Sequence, residues 1–307
     1  MKLIPNCLKL GDTIGVVAPS GPIIGDKVDE LMNAKKIVEE KGFKVKFSKN
    51  LFSNTNGYSS SAKEKADDIN EMFKDKDIKM IWCAKGGNNS NSTFDYLDYD
   101  IIKNNPKIIC GYSDITSITN VITNKTGLIT FSGTNFKTIA TDETNYSFEE
   151  VIKRFVDKSI EIGRTNEKDI TLKEGIAKGE LIGGNLNLLS YLVSGKYKVS
   201  FENKILFLED LGYESDPEAV NHYSYHLKQN GVYDKIKGLW IGNYEHQSGI
   251  TLEKIILDVI GNEYNFPIIK SNNFGHIETK TVIPIGTLAK IDTTKEFKIE
   301  LIENCVK

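Results

Sequence analysis

The chain has 307 residues, of which 39% are hydrophobic and 26% charged, the composition of a soluble globular protein with room for two domains. Its net charge of −3 argues against nucleic acid or an anionic membrane as the main partner. No stretch reaches the ~20 apolar residues that span a bilayer, no cleavable leader is evident, and the four scattered cysteines are typical of reduced thiols, so we expect a cytoplasmic protein.

Strands and helices alternate along residues 1–140. The apolar patterns predict strands at 13–18, 43–47, 78–84 and 106–110, and helices at 26–41, at 61–75 and after Ser113. This alternation predicts a mostly parallel sheet with helices on both faces, an α/β fold. Ligands of such sheets bind at the carboxyl ends of the strands, and two of those ends are Lys85-Gly86-Gly87 and Gly111-Tyr112-Ser113.

The rest of the chain has a different texture. Residues 141–165 are polar around a predicted helix at 148–157, and we interpret them as a linker. Residues 166–307 contain shorter apolar runs, at 204–208, 238–241, 282–285 and 297–302, with helices near 217–229 and 251–260. They predict a second, α+β domain with a barrel-like or mixed sheet.

The tetrapeptide Gly111-Tyr112-Ser113-Asp114 lies between the strand at 106–110 and the helix that follows it. A serine at such a corner has its hydroxyl outside the sheet and the N–H groups of the new helix nearby, which suits nucleophilic acyl transfer. The same residues are also an ordinary helix start, in which Ser or Asp caps the first turn. Ile115 occupies the place of the second glycine of a Gly-x-Ser-x-Gly elbow, so the corner is not that of an α/β-hydrolase.

A serine nucleophile needs a base, and the chain has four histidines. His222 and His226 are four residues apart in a predicted helix, but without the Glu or a third ligand of a metal site they are better explained as solvated or packing residues. His246 has no special setting. His276 lies on a glycine-bearing loop between two apolar runs and is the best candidate base, with a backbone-bonded loop histidine as the alternative. We expect no metal.

A carboxylate must orient that base, and Glu209 ends the apolar run Ile205-Leu206-Phe207-Leu208. An ionised group there is costly unless paired, and the imidazole of His276 is a suitable partner. The alternative is a strand that ends in two solvated acids, and Asp210 can replace Glu209 in the role. The order Ser113, Glu209, His276 is that of other hydrolases built on parallel sheets.

The oxyanion of an acyl-transfer reaction needs two N–H donors. The N–H of Asp114 is one candidate, and Gly87, where no Cβ hinders a ligand, is the other. The segment Asn88-Asn89-Ser90-Asn91-Ser92 follows and can read a polar ligand, although a solvated loop has the same composition. No phosphate-binding Gly-x-x-x-x-Gly-Lys segment occurs, and we expect no cofactor.

Taken together, these segments resemble the LD-carboxypeptidase family of serine peptidases over nearly the whole chain. The matching blocks are 11–22, 86–87, 105–114, 183–186, 206–209 and 274–276. The resemblance implies a Ser113–Glu209–His276 triad, an N-terminal Rossmann-like domain, a C-terminal barrel-like domain, a homodimer and no metal.

Lys85 and the asparagine-serine segment after Gly86-Gly87 distinguish this chain from muropeptide-recycling members, which usually carry an arginine there. In this respect it resembles the microcin C immunity branch, which cleaves the aminoacyl-nucleotide type of bond in processed microcin C and aminoacyl-adenylate analogues. The resemblance implies that Asn89, Asn91 and Asn185 bind substrate. The alternatives are an LD-carboxypeptidase that removes D-alanine from muropeptide tetrapeptides and a non-catalytic peptide- or nucleotide-binding protein.

Overall fold

The structure is a computed structural model that describes residues 2–163 and 168–307. The described residues form two compact units. The first unit comprises the described residues up to Ser159 together with Val282–Pro284 and Cys305–Lys307. The second comprises the described residues between Ile160 and Thr281 together with Ile285–Asn304.

Strands and helices alternate through most of the described chain. In chain order, the strands are β1 (Thr13–Val17), β2 (Lys44–Phe47), β3 (Ile78–Cys83), β4 (Ile108–Gly111), β5 (Thr130–Ser132), β6 (Ile170–Lys173), β7 (Ile176–Asn185), β8 (Lys204–Glu209), β9 (Gly238–Ile241), β10 (Ile268–Lys270), β11 (Ile283–Ile285), β12 (Leu288–Asp292) and β13 (Ile299–Leu301). The α-helices are α1 (Asp26–Glu40), α2 (Ala62–Lys74), α3 (Tyr99–Asn104), α4 (Ile115–Thr126), α5 (Tyr146–Phe155), α6 (Leu186–Ser190), α7 (Pro217–Gln229), α8 (Val232–Lys235) and α9 (Leu252–Ile260). Short 3₁₀ turns form at Ser90–Thr93 and Phe136–Ala140.

The sheet of the first unit has the strand order β11-β5-β4-β3-β1-β2. Its neighbours from β5 to β2 all pair in parallel. β1, β3 and β4 are buried along nearly their whole length, as expected for central parallel strands that are covered on both faces. The predicted parallel α/β sheet is therefore confirmed, and its order places the ends of β3 and β4 side by side.

Helix α5 packs into the core of the first unit. Phe148, Val151 and Phe155 share one helical face and join the same apolar cluster as the central strands. The ring of Phe155 lies 4.7 Å from that of Phe131 on β5. Residues 141–159 therefore belong to this unit, whereas the sequence pattern predicts a linker there. The apolar face of α5 packs into the core in spite of the polar residues around it. Residues 164 and 165 of that expected linker lie outside the described residues.

The apolar run 282–285 lies in a different sheet from the one expected. The sequence pattern predicts it in the second domain, but β11 lies beside β5 at the edge of the first sheet. Val282 is fully buried in the apolar cluster of the first unit, and its side chain lies within 3.1 Å of where a Cβ on Gly133 would stand. This tertiary contact determines which sheet β11 joins, and a local apolar pattern cannot reveal it.

The sheet of the second unit has the order β13-β12-β7-β8-β9-β10-β6 and curls into half a barrel, which confirms the predicted mixed, barrel-like sheet. The four central strands, β7 to β10, pair in parallel with one another. On the two sides of them, β12 and β6 pair in antiparallel orientation, and β13 pairs antiparallel with β12. The apolar pattern does not predict β7, because glycines interrupt its apolar residues. These glycines are required: a Cβ on Gly183 would stand 1.9 Å from the Phe207 carbonyl oxygen on β8.

Across the described ranges, we find that every helix is too short or too polar for a bilayer crossing.

Candidate active site

Ser113 occupies the corner between β4 and α4 with a backbone φ of 65°. A non-glycine residue in this left-handed region is strained, and such strain is typical of a nucleophile held at a strand-to-helix turn. The corner brings the side chain against the end of β3: a Cβ on Gly86 would stand 3.0 Å from the Ser113 Oγ atom. Gly86 therefore leaves open the space next to the hydroxyl.

The corner is also tightly packed at Gly111. A Cβ on Gly111 would stand 2.9 Å from Cγ2 of Ile115 and 3.0 Å from Oδ1 of Asn135. The first glycine of the elbow pattern is thus needed for the turn to close, and the space that it leaves is filled by Ile115. This explains why the chain can do without the second glycine.

Asp114 begins α4 but does not cap it with its side chain. The carboxylate is fully buried and accepts hydrogen bonds from the Ser20 hydroxyl and, at 2.8 Å, from the Ser90 N–H. The Ser90 hydroxyl in turn donates to the main-chain oxygen of Asp114 at 2.7 Å. The helix-cap alternative for this carboxylate is therefore wrong. Sequence reasoning did not assign these contacts to Ser20 or to Ser90, which it placed in a ligand-reading segment, and the available signal was that Ser20 follows β1 in the same sheet.

Gly87 approaches the turn after β1 very closely. Its φ is 155°, and a Cβ there would stand 2.6 Å from both the Gly21 nitrogen and the Ser20 Oγ atom. The Gly21 N–H donates to the Gly86 carbonyl at 3.3 Å. No other residue type fits this position, so the main chain is exposed to a ligand without interference from a side chain.

The asparagine-serine segment after Gly87 is anchored to α2. Asn89 accepts a hydrogen bond from the Lys65 ammonium group at 2.5 Å and donates to the Ser59 hydroxyl at 3.1 Å. Burial lowers the pKa of Lys65 to about 8, and the nearby Asp114 carboxylate opposes that shift. Asn91, in contrast, is exposed in the 3₁₀ turn that follows. Of these two predicted substrate-binding residues, one anchors the loop and the other faces outward.

In the second unit, Glu209 ends β8 and contacts His276. The Nδ1 atom of His276 lies 2.6 Å from Oε2 of Glu209, and because a carboxylate only accepts, the imidazole donates this bond. Both side chains are largely buried. Burial lowers the pKa of His276, but the charges of Glu209 and Asp210 and the hydrogen bond outweigh it, so the pKa is raised above 6.5.

The loop that carries His276 is held rigidly. The Phe274 ring packs 4.6 Å from Trp240 and 5.9 Å from Phe207, measured between ring centres. The Asn243 N–H donates to the Phe274 carbonyl at 3.0 Å. Gly275, with a φ of 123°, passes so close to Asn243 that a Cβ would stand 3.1 Å from its side chain. The loop thus has the firm support that a catalytic base requires.

Asp210 has different partners from those of Glu209. Its carboxylate accepts from the Asn185 amide at 3.1 Å, from the Ser215 hydroxyl at 3.1 Å and from the N–H groups of Asn187 and Leu211. Burial, followed by the charge of Glu209, raises its pKa to about 6. The Asn185 side-chain oxygen also accepts from the Leu188 N–H, capping α6. The structure therefore places Glu209 rather than Asp210 on His276, and places Asn185 as a support for Asp210.

The remaining histidines lie in other settings. His222 and His226 are on α7. The His246 Nδ1 atom lies 2.7 Å from the Ser248 hydroxyl, and its ring stacks on Tyr244. Within the described residues, no group of three or more His, Cys, Asp or Glu side chains is arranged to hold a metal ion.

Comparison with known proteins places the chain among peptidases. The LD-carboxypeptidase N-terminal domain matches residues 14–133, and the LD-carboxypeptidase C-terminal domain matches residues 178–291. The probable murein peptide carboxypeptidase of Bacillus subtilis strain 168 is 31% identical, covering 95% of this chain and 92% of that protein. The microcin C7 self-immunity protein MccF of Escherichia coli is 30% identical, covering 94% of this chain and 93% of that protein. A solved structure of MccF in complex with glutamyl sulfamoyl guanosine is similar with a TM-score of 0.91 at 28% identity, covering 99% of this chain and 100% of that one.

Proposed function

Since the chain belongs to the LD-carboxypeptidase family and is a serine hydrolase, we propose that Ser113, Glu209 and His276 form its catalytic triad. The observation that carries the proposal is the 2.6 Å hydrogen bond between Nδ1 of His276 and Glu209. It fixes the tautomer of the imidazole, so that Nε2 acts as the base. The strained corner at Ser113 supports the same assignment, because it holds the hydroxyl in a defined position.

In this mechanism, the Ser113 hydroxyl attacks the acyl carbonyl carbon while His276 takes its proton. The negative charge that develops on the carbonyl oxygen is held by the N–H groups of Gly87 and Asp114. His276 then gives the proton to the leaving group, and the bond to that group breaks to leave an acyl-enzyme. Water, activated by the same imidazole, releases the acyl group from Ser113. Glu209 stabilises the imidazolium that forms in each half of the reaction.

The preferred substrate is an aminoacyl group joined to a nucleotide-like moiety, as in processed microcin C. Two features support it: the asparagine-serine segment 88–92 and the similarity to the MccF complex with glutamyl sulfamoyl guanosine. Within this substrate site, the exposed Asn91 contacts the ligand directly. Asn89 and Asn185 shape the site through their contacts with Lys65 and Asp210.

A second candidate is the removal of terminal D-alanine from an L,D-linked muropeptide tetrapeptide. The B. subtilis murein peptide carboxypeptidase favours it, because its identity to this chain, 31%, is as high as that of MccF, 30%. A homodimer and a contribution to antibiotic resistance stay predictions from the family resemblance, and a cytoplasmic location stays a prediction from the composition and cysteine usage of the chain.

Purified protein incubated in parallel with an aminoacyl sulfamoyl adenylate and with the tetrapeptide tests both substrates. We expect cleavage of the first, and a fall of roughly 10⁴-fold or more in kcat for Ser113→Ala. The matched control is Ser60→Ala, which removes a buried serine hydroxyl elsewhere in the first unit, one that donates to the Ser53 carbonyl. Cleavage of the tetrapeptide alone would replace the preferred substrate, and full activity of Ser113→Ala would refute the triad.

A further inference from the structure

The Asp114 carboxylate joins three segments at one edge of the first sheet. Its Oδ2 atom accepts from the hydroxyl of Ser20, in the turn after β1, and from the N–H of Ser90, in the 3₁₀ turn after β3. Asp114 itself follows the nucleophile at the end of β4. One buried side chain therefore ties together the ends of three neighbouring strands.

A fully buried carboxylate is an unexpected choice for simple packing. It loses its hydration, and its Oδ1 atom has no hydrogen-bond partner among the described residues. The buried Lys65 ammonium group supplies a compensating charge, and it is itself held by Asn89. An apolar side chain of similar size would fill the same space without these penalties. The arrangement is therefore best explained by a role near the reacting atoms.

The Ser20 hydroxyl connects this carboxylate to Gly87. Gly87 packs so closely on Ser20 that a Cβ would stand 2.6 Å from its Oγ atom, and the next residue, Gly21, donates to the Gly86 carbonyl at 3.3 Å. The chain of contacts runs from the Asp114 carboxylate through the Ser20 hydroxyl to the main chain at Gly87. At its two ends are the two N–H groups assigned to the oxyanion.

We propose that Ser20 and the Asp114 carboxylate are positioning residues that hold the N–H groups of Gly87 and Asp114 at the spacing an oxyanion requires. This inference rests on the proposed function, because it assumes that Ser113 is the nucleophile. Such a pair acts on the transition state and not on substrate binding, since the oxyanion forms only during attack. Loss of the Ser20 hydroxyl therefore lowers kcat and leaves KM nearly unchanged.

The test measures the rate at which a fluorophosphonate modifies Ser113 in the wild type, Ser20→Ala and Ser60→Ala. The phosphonyl oxygen takes up negative charge during modification and probes the oxyanion donors without needing the natural substrate. One donor contributes roughly 10²–10³-fold to kcat, so a misplaced donor in Ser20→Ala should slow modification by about 10- to 100-fold. Ser60→Ala, which removes a hydroxyl of equal size, should react within about twofold of the wild type.

A second variant covers a failure of Ser20→Ala to fold, which circular dichroism would reveal. Asp114→Asn keeps the shape of the side chain but offers the Ser20 hydroxyl a neutral and weaker acceptor, so it should show a smaller loss in the same direction. If the wild type reacts and the folded variants react as fast as Ser60→Ala, the inference is wrong while the triad stands. If the wild type itself does not react at Ser113, the proposed function fails and the inference falls with it.

Discussion

At the end of β4 the backbone conformation positions the functional side chain, whereas at the end of β8 an interaction between charges does so. Ser113 is held at a φ of 65° by its own strand and helix, and the residues that permit the turn are within a few positions of it. Glu209 and His276 are 67 residues apart and are joined by a single charged hydrogen bond. The comparison indicates that backbone conformation sets the position of the Ser113 hydroxyl, whereas the acid–base pair depends on the charge of Glu209.

Among variants that keep the Ser113 nucleophile, Glu209→Gln should have the largest effect, because it removes the charge and keeps the shape. A neutral amide cannot stabilise the imidazolium, and kcat should fall by roughly 10²–10⁴-fold. The base must be neutral to act, so the rate rises with pH through the pKa of His276. Glu209 raises that pKa and burial lowers it, so without Glu209 the rise in rate should move to lower pH. Steady-state rates from about pH 5 to 9, a range that spans the ordinary histidine pKa, measure both effects.

Glu180→Gln is the matched control for this variant. Glu180, on β7, pairs with Lys204 at the opposite end of β8, so it is an ion-paired glutamate of the same sheet, more exposed than Glu209, that has no contact with His276. We expect its kcat within about twofold of the wild type and its pH profile unchanged. A profile for Glu209→Gln that moved to higher pH would contradict the electrostatic account.

Asp210→Asn should change how stability depends on pH, with an effect of intermediate size. Burial raises the pKa of Asp210 from 3.8 to about 6, so the folded state binds a proton that the unfolded state releases between these values. Its contribution to stability is fully present below pH 3.8 and is lost as pH rises through 6. The loss is about 3 kcal/mol in the free energy of unfolding.

Denaturant unfolding of the wild type and Asp210→Asn at several values between about pH 4 and 7 checks this expectation. The variant has no carboxyl group to titrate at this position, so its free energy of unfolding relative to the wild type should improve by about 3 kcal/mol as pH rises across that range. Altered hydrogen bonds add a difference that does not depend on pH. Asp258→Asn, at an exposed position on α9, shows what removing a carboxylate does without a buried setting. A constant difference between wild type and Asp210→Asn would show that the pKa of this carboxyl is not raised in the folded state.

Local sequence was sufficient for the elements whose apolar residues have a regular period. The strand β8 ending in Glu209, the loop of His276 and the corner at Ser113 were all recognised from residues next to them. The sequence also nominated Glu209 and His276 together, and the structure places them in contact. What made this possible is that a charged residue at the end of an apolar run needs a partner and few histidines were available.

Features that depend on distant contacts could not be predicted. The glycines of β7 look like turn residues until β8 lies against them. The sheet that receives β11 is decided by Val282 packing in the first unit, and α5 has no visible place until its apolar face meets Phe131. The Asp114 carboxylate looks like a helix cap because Ser20 is 94 positions away. In each case a tertiary contact overrides the local preference.

Ser113→Gly tests the backbone side of the comparison and has the smallest expected effect on stability. At ordinary positions alanine is more stable than glycine, by about 1 kcal/mol within a helix. At a positive φ the order reverses, because glycine relieves roughly 1 kcal/mol of strain that alanine keeps. Ser113→Gly should therefore be more stable than Ser113→Ala in denaturant unfolding, and neither variant has a nucleophile to complicate the measurement.

The pair Ser117→Gly and Ser117→Ala, inside α4, is the control and should show the usual order. If both positions favour alanine, the serine is not held by backbone strain, and the contrast between a corner fixed by conformation and a pair fixed by charge does not hold.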